Sequence, residues 1–330
     1  MMEMEDQSEL CFPQLINISC RKPTSHWSES VVLTVLLSII CIFTVVLNLL
    51  VIISISHFRQ LHTPTNLLLL SLSVSDFLVG LLAIPAEIYS KTSCWTLGDV
   101  LCSLWFYVSF LVTSVSVGTM VLISADRYVA ICDPLHYNTK VTVRRVQLCV
   151  CLCWFSSFLY CGIILKDLLA HPGQYKSCNG ECVLGIDYYA GVADLVVTVL
   201  LPLSIIITLY MRVFVVAVSQ ARAMSSHVTS VTLQHSVTVR AKKSELKAAR
   251  TLGVLVLVFL VCFCPYYIFT LAGGNGIMSS FSKYVLYLFE FNSCLNPLIY
   301  ALFYPWFRRA VRRVVTLHIL QPGSRGHNIL

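Results

Sequence analysis

Seven apolar stretches, each about 20 residues long and poor in charge, constrain this chain more than any other feature. A stretch of that length can cross the hydrocarbon core of a membrane as an α-helix. Only 12% of the 330 residues are charged, whereas about 25% is usual in a soluble domain. The stretches are 31–54, 66–89, 101–123, 146–165, 191–216, 252–271 and 284–303. We therefore predict an all-α membrane protein built as a seven-helix transmembrane bundle.

The sequence predicts that the chain is divided into three parts. Residues 1–30 form a polar extracellular tail, residues 31–304 form the bundle, and residues 305–330 form an amphipathic helix with a cytoplasmic tail. The last part begins Pro305-Trp306-Phe307-Arg308-Arg309, in which aromatic and basic residues alternate at helical spacing. Such a segment favours a short eighth helix that lies on the inner membrane surface and contacts lipid.

The positions of the basic residues predict how the chain is oriented across the membrane. With the N-terminus outside, most of the 23 lysines and arginines fall on the cytoplasmic side, as the positive-inside rule requires. This favours a multi-pass plasma-membrane protein with an extracellular N-terminus. The net charge of +7 then reflects topology and not nucleic-acid binding, because the basic residues are divided among separate loops.

The cysteines favour the same orientation. Six of them fall on the predicted outer side, where disulfides persist: Cys11, Cys20, Cys94, Cys102, Cys178 and Cys182. Their pairing does not follow from sequence alone. Asn17-Ile18-Ser19 is a glycosylation sequon in the same outer tail.

Two carboxylates interrupt the apolar stretches near their outer ends. Asp194 precedes Pro202 by eight residues in the fifth stretch, and Glu290 precedes Pro297 by seven in the last. An acid at that depth costs about 2.5–3.5 kcal/mol on insertion scales, so its default interpretation is a functional site that faces a cavity. The two acids therefore indicate a pocket for a cation.

Motifs in all seven stretches resemble the rhodopsin-like (class A) G-protein-coupled receptors. They are Asn48, Asp76, Asp126-Arg127-Tyr128, Trp154, Pro202, Cys264-Pro265 and Asn296-Pro297-Leu298-Ile299-Tyr300. The run from Asn292 to Tyr300, with Tyr304-Pro305-Trp306-Phe307 after it, is similar to the trace amine-associated receptors. Cys94-Trp95-Thr96-Leu97-Gly98-Asp99 is also typical of that family.

The resemblance implies several roles. Cys102 is expected to bond Cys182, and Cys178 to bond an N-terminal cysteine, for which Cys20 is preferred over Cys11. Arg127 has two candidate acids, Asp126 and Glu245, and release of such a pair would open a cavity for a heterotrimeric G protein of the stimulating or olfactory type. The expected switch residues are Asp126, Arg127, Tyr128, Glu245, Tyr210 and Tyr300.

A structural sodium ion is the one inorganic ligand that the resemblance implies, and no cofactor is expected. The candidate set is Asp76, Ser116, Asn292, Ser293 and Asn296. The alternative is a polar network that satisfies itself, with or without a protonated Asp76.

The predicted ligand pocket departs from the pattern of aminergic relatives, which carry an Asp on helix 3 where this chain has Ser109. The chain therefore resembles a divergent, fish-type branch that receives the ammonium from helix 5. Asp194 is the expected counter-ion of a mono-, di- or polyamine, with Glu290 as a second. Aromatic side chains around them could form a cage for alkylammonium groups, or simply pack. The expected ligand-binding residues are Asp194, Glu290, Ser109, Phe110, Thr113, Thr198, Phe263, Tyr266, Tyr267 and Tyr287.

Other functions fit the sequence less well. A receptor for an internal amine such as histamine or serotonin is the nearest alternative, and the missing helix-3 acid counts against it. A channel or transporter is an alternative of a different class, and it would favour polar residues that continue through the bundle or repeated halves, neither of which the sequence shows. An enzyme is not expected, because the nine histidines are scattered and form no metal-ligand or nucleophile–base set.

Overall fold

A computed structural model describes residues 10–22, 27–227, 253–254, 256–268, 279–321, 323–326 and 329. Within those ranges the chain is helical, without a strand and with only two isolated β-bridges. The principal helices are α1 (Trp27–His57), α2 (Pro64–Thr92), α3 (Asp99–Cys132), α4 (Val143–Ile164), α5 (Tyr188–Asp194, Leu195–Leu200 and Leu201–His227 in succession), α6 (Val256–Ile268), α7 (Ser279–Phe303) and α8 (Pro305–Val315). Shorter helices are Arg59–Leu61, Pro134–His136, Tyr137–Lys140, Lys166–Ala170, His318–Leu320 and Ser324–Gly326.

Six of these helices are long and apolar enough to span a membrane, and α6 adds a shorter apolar helix in the described part of the sixth stretch. The predicted bundle and its helix order are confirmed. Most helices extend beyond the predicted apolar runs, because polar residues continue them into the membrane interface. At the start of α2, for example, Thr63 accepts a hydrogen bond from the Asn66 amide, and Pro64 occupies the first turn.

The bundle is organised around α3, which packs against α2, α4 and α5, while α1 packs against α2, α7 and α8. A polar chain joins three helices: the Trp154 indole donates to Ser71 Oγ at 3.1 Å, and Ser71 lies 3.2 Å from Thr119 Oγ1. The outer surface is apolar, with large exposed side chains on α1, α4 and α5 that suit contact with lipid.

Two helices contain a π-helical turn next to a proline, and both turns lie in the outer half of the bundle. In α2 a π-helical turn covers Val79–Ala83 just before Pro85, and in α5 another covers Leu195–Leu200 just before Pro202. Proline removes a backbone donor, and a π-turn is one way for a helix to accommodate that loss. The turn in α5 follows Asp194 directly, so it helps to set the direction of that carboxylate.

Helix α8 has the predicted position and is amphipathic. Trp306, Phe307 and Ala310 are buried against the bundle. Arg308 donates to the carbonyls of Ala301 and Leu302 at 2.8 and 3.1 Å, which satisfies carbonyls at the end of α7.

Candidate functional site

A cavity of about 520 Å³ opens in the outer half of the bundle. That volume is within the range of small-molecule sites, about 300–1,000 Å³. Its lining comes from α2 to α7 and from the loop before α5. The lining residues used below are Glu87, Trp105, Phe106, Ser109, Phe110, Thr113, Tyr160, Leu184, Ile186, Asp187, Tyr188, Asp194, Thr198, Tyr266, Tyr267 and Glu290.

Asp194 lines one side of this cavity, and its carboxylate is held by two hydroxyl groups. Tyr160 on α4 donates to Oδ1 at 3.0 Å, and Thr198, one turn further along α5, donates to the same oxygen at 2.9 Å. Hydroxyl donors stabilise the charged form of a carboxylate in a half-buried position. They also fix its orientation, so Asp194 is suited to receive a cation in the cavity.

Glu290 reaches the cavity from α7, and Glu87 reaches it from α2. Each residue is 8% exposed. Lys91 Nζ lies 2.8 Å from Glu87 Oε1, one helical turn away on α2. Glu290 Oε2, by contrast, is a buried oxygen without a hydrogen-bond partner in the described part of the chain. The cavity lining therefore contains four carboxylates, with Asp187 at the N-cap of α5 as the fourth, and one of them, Glu87, has a lysine beside it.

Eight of the ten expected ligand-binding residues line the cavity, and two do not. Phe263 packs below it, with ring centroids 4.1 Å from Phe259 and 4.5 Å from Phe289. Tyr287 lies behind the wall, where its ring is 5.8 Å from Lys91 Nζ. Their role in ligand binding stays a prediction, because an aromatic spacing along one helix does not say which rings reach the cavity.

Ser109 lines the cavity, but its hydroxyl group is engaged within its own helix. Ser109 Oγ donates to the carbonyl of Trp105, one turn earlier on α3, at 2.9 Å. Hydroxyl groups in apolar helices often bond in this way to the preceding turn. Ser109 therefore contributes a small polar surface to the cavity and no charge.

Three disulfides tie the outer segments over the cavity. Cys102 at the start of α3 bonds Cys182, and Cys20 bonds Cys178; these are the two expected pairs. The third, Cys11–Cys94, joins the tail to the first outer loop, a pairing that the sequence had left open. Leu184 and Ile186 follow Cys182 closely and line the cavity, so the Cys102–Cys182 bond positions part of its roof. Asn17 is exposed in the same outer tail.

The expected sodium-binding residues are buried together around Asp76, which has no exposed surface. Asn296 donates to Asp76 Oδ2 at 2.7 Å, which joins α7 to α2. The Ser116 hydroxyl is engaged with the residue before Asp76, since its Oγ lies 2.9 Å from Ser75 Oγ. Asp76 Oδ1, Asn292 Oδ1 and Asn48 Oδ1 are buried acceptors without a partner in the described residues.

At the cytoplasmic end, Arg127 forms an ion pair with Asp126, and both side chains are nearly buried, at 11% and 2% exposed. Arg127 Nη2 also donates to Thr65 Oγ1 at 2.6 Å, and Tyr137 donates to Asp126 Oδ1 at 2.8 Å. The Asp126–Arg127 pair is thus held by Thr65 on α2 and, through Asp126, by Tyr137 in the second inner loop. The other expected acid, Glu245, lies outside the described residues.

Within the second inner loop, Asp133 forms polar contacts with two nearby side chains. Asp133 lies 2.8 Å from Lys140 Nζ and 2.7 Å from His136 Nδ1. Hydrogen bonds from Lys140 and His136 lower the pKa of Asp133 to about 2, so this acid stays charged at neutral pH. Burial raises the pKa of Tyr137, so its hydroxyl remains a proton donor to Asp126. The loop therefore presents Tyr137 to the Asp126–Arg127 pair.

The structure also describes three further switch residues, Tyr128, Tyr210 and Tyr300. The hydroxyl groups of Tyr210 on α5 and Tyr300 on α7 are buried without a hydrogen-bond partner in the described part of the chain. Tyr128 packs against a small buried cluster of Ile131 on α3 and Val213 on α5. Two unpaired buried hydroxyls carry a free-energy cost, which a rearrangement of α5 and α7 could relieve.

Comparisons with known proteins agree with this geometry. A profile of the family described as 7 transmembrane receptor (rhodopsin family) matches residues 47–300. Trace amine-associated receptor 13c of Danio rerio is 37% identical, over 98% of this chain and 97% of its own length. Trace amine-associated receptor 1 is 37% identical in Mus musculus, over 94% and 96%, and 34% identical in Homo sapiens, over 94% and 95%. The chain belongs to the trace amine-associated receptor family.

This receptor is therefore a multi-pass protein of the plasma membrane, as the distribution of basic residues and outer cysteines predicts. The expected ligand-binding residues did not include Tyr160 or Glu87, which both line the cavity. The sequence offered one indication of Tyr160, because a hydroxyl group within the apolar stretch of α4 needs a hydrogen-bond partner. Glu87 and Lys91 carried another, as acid and base one turn apart on α2.

Proposed function

We propose that this receptor detects small amines in its outer cavity, with Asp194 as the counter-ion of the ligand ammonium. The observation that carries the proposal is the half-buried Asp194 carboxylate, which lines the cavity and is held by Tyr160 and Thr198. An acid at this depth is costly unless a cation or hydrogen bonds compensate for its charge. The names of the relatives, trace amine-associated receptors, support the same ligand class.

The aromatic lining supports an alkylammonium ligand. Trp105, Phe106 and Phe110 approach from α3, and Tyr266 and Tyr267 from α6. An aromatic face attracts an alkylammonium group by about 0.5–2 kcal/mol, more when the site excludes water. The apolar body of an amine gains from the same surfaces by burial. We therefore propose that α3 and α6 receive the carbon skeleton while α5 receives the charge.

Glu290 is the proposed second counter-ion, which would favour diamines and polyamines. It lies on α7, whereas Asp194 lies on α5, and both line one cavity. Its Oε2 is a buried acceptor without a hydrogen-bond partner in the described residues. A second ligand ammonium would supply that partner and offset the cost of burying the charge.

We further propose that the receptor couples to a heterotrimeric G protein of the stimulating or olfactory type and serves a chemosensory role. The Asp126–Arg127 pair, held by Thr65 and Tyr137, is the proposed resting lock on the cytoplasmic side. A ligand that favours the released state would shift the receptor toward it. Glu245 is proposed to contribute to the same lock.

A sodium ion near Asp76 is proposed as a structural ligand. The residues fit it, since Asp76 Oδ1, Asn292 Oδ1 and Asn48 Oδ1 are buried oxygens without hydrogen-bond partners in the described chain. A hard cation prefers such oxygen ligands, and its charge would balance that of Asp76. Replacement of sodium by potassium should lower the melting temperature of the purified receptor, and Asp76→Asn should remove that difference.

The amine assignment is tested by pairs of ligands that differ only in charge. Cells that express the receptor and a cyclic-AMP reporter are exposed to linear and aromatic primary amines and to the alcohols of the same skeleton. We expect responses to amines and none to the alcohols at equal concentration. Equal responses to both members of each pair would reject an ammonium-binding site.

A further inference from the structure

The outer end of α2 carries a cation that the proposed function does not use. Lys91 lies one helical turn beyond Glu87, and its Nζ is 2.8 Å from Glu87 Oε1. The Lys91 side chain is 35% exposed, whereas the Glu87 side chain is only 10% exposed. The ammonium of Lys91 also lies 5.8 Å from the centre of the Tyr287 ring. A partly exposed lysine in the last turn of α2 thus reaches one of the buried acids of the cavity.

This ion pair is close but loosely directed. Glu87 Oε1 counts among the buried oxygens without a hydrogen bond, although Lys91 Nζ is near enough for one. The ammonium therefore lies off the line that a hydrogen bond requires. A lysine side chain is flexible and strongly hydrated, so a partly exposed one can leave such a partner at small cost.

Glu290 belongs to the same charge cluster. Both Glu87 and Lys91 are near enough to interact electrostatically with it, Glu87 unfavourably and Lys91 favourably. Lys91 pairs with Glu87 and also attracts Glu290, which lines the same cavity and whose Oε2 has no hydrogen-bond partner within the described ranges. Like charges at short range in an apolar site repel strongly. The position of the Lys91 ammonium therefore determines how strongly Glu87 and Glu290 attract a further cation.

We propose that Lys91 is a tethered ammonium that occupies the acidic subsite formed by Glu87 and Glu290 and competes there with the second ammonium of a ligand. The proposal rests on the amine-binding function above and adds a residue that sets selectivity. A monoamine held at Asp194 has no group near Lys91 and is unaffected by it. A diamine must displace Lys91 toward solvent, or bind against its repulsion.

The test compares neutral and charged replacements of Lys91. Dose–response curves are measured for primary monoamines and for linear diamines with two terminal amino groups, at matched surface density of receptor. In Lys91→Met we expect diamines to become about five- to tenfold more potent, with monoamines changed less than about twofold. In Lys91→Arg both classes should stay near the wild-type values, because the charge is kept.

A second lysine provides a matched control. Lys176 pairs with Asp99 at 2.7 Å on the outer side and is similarly exposed, at 30%, but neither residue lines the cavity. Lys176→Met should therefore leave the ratio of diamine to monoamine potency unchanged. An equal gain in Lys176→Met would mean that Lys91 acts only through the general outer charge, which would overturn the proposal.

Glu87→Gln is an independent test, in which diamine potency should change in the direction opposite to that in Lys91→Met. Loss of the Glu87 charge releases Lys91 toward Glu290, so diamine potency should fall while monoamine potency is kept. The proposal is overturned if Lys91→Met leaves diamine potency unchanged or lowers it, or if Glu87→Gln raises it. Failure of the amine function itself looks different, since the wild-type receptor would then respond to amines and alcohols alike.

Discussion

Tyr160 on α4 donates a hydrogen bond to Asp194 on α5, with 3.0 Å between the phenol oxygen and Oδ1. Thr198 donates to the same oxygen at 2.9 Å, so the carboxylate is held from two helices. The α4 helix presents most of its surface to lipid, and Tyr160 is one of its few polar contacts with the cavity. This bond makes α4 part of the proposed ammonium site.

Tyr160→Phe should lower the potency of all amines by about tenfold, since a hydrogen bond to a charged group contributes about 1.5–3 kcal/mol. Tyr107→Phe is a matched control, because the Tyr107 hydroxyl also bonds to α4, at the Phe158 carbonyl, but does not line the cavity. Potency measured with the cyclic-AMP reporter at equal surface density decides the result. Equal effects of the two substitutions would show that Tyr160 acts through packing of α4 alone.

Glu290→Gln should weaken diamines selectively and spare monoamines. The substitution keeps the size of the side chain but removes the charge that a second ammonium would meet. Loss of one partner of a buried charge pair costs about 2–5 kcal/mol, so diamine potency should fall by more than about tenfold. Equal loss for both ligand classes would reject the role of Glu290 as a second counter-ion.

The disulfides should differ in function although they close loops of similar length. Cys102–Cys182 spans 80 residues and Cys11–Cys94 spans 83, so a chain-entropy model assigns them nearly equal stabilisation. Cys182→Ala should remove surface expression and ligand response together, because it releases the loop that carries Leu184 and Ile186. Cys11→Ala should lower surface expression while amine potency per surface receptor is kept. Normal signalling from Cys182→Ala would contradict this assignment.

The contacts that hold Arg127 at the cytoplasmic end should control basal signalling, which is the signalling in the absence of ligand. Arg127→Ala should abolish coupling, whereas Glu245→Ala should raise basal cyclic AMP several-fold if Glu245 restrains Arg127. Lys247→Ala, two residues further on, is the control for loss of a neighbouring charge. Unchanged basal activity in a well-expressed Glu245→Ala receptor would leave Arg127 restrained only by its contacts with Asp126 and Thr65.

Much of the fold could be predicted from the sequence because a membrane imposes simple rules. A spanning segment must be long, apolar and internally hydrogen-bonded. Six helices in the described part of the chain are long and apolar enough, and α6 is a shorter apolar helix. Asp194 and Glu290 were recognisable for the same reason, since a carboxylate within an apolar run needs a special environment. The helix ends were less predictable, because polar residues such as Asp99 continue a helix beyond the apolar run.

The cavity could be predicted only in part, because contacts between helices depend on how each helix is rotated and widened. The π-turn at Leu195–Leu200 changes the direction of Asp194, and no pattern in that apolar run indicates it. Tyr160 meets Asp194 across two helices that are far apart in sequence. Phe263 has the spacing of a cavity residue but packs between Phe259 and Phe289 instead.

Replacement of Asp194 by alanine tests the central claim most directly. Monoamine dose–response curves are compared for wild-type and Asp194→Ala receptors that are labelled at the surface and matched in density. Without the carboxylate the ligand ammonium has no counter-ion on α5, so potency should fall by about 100-fold or more for every amine. A normal monoamine response from well-expressed Asp194→Ala would contradict the claim that the ammonium binds at α5.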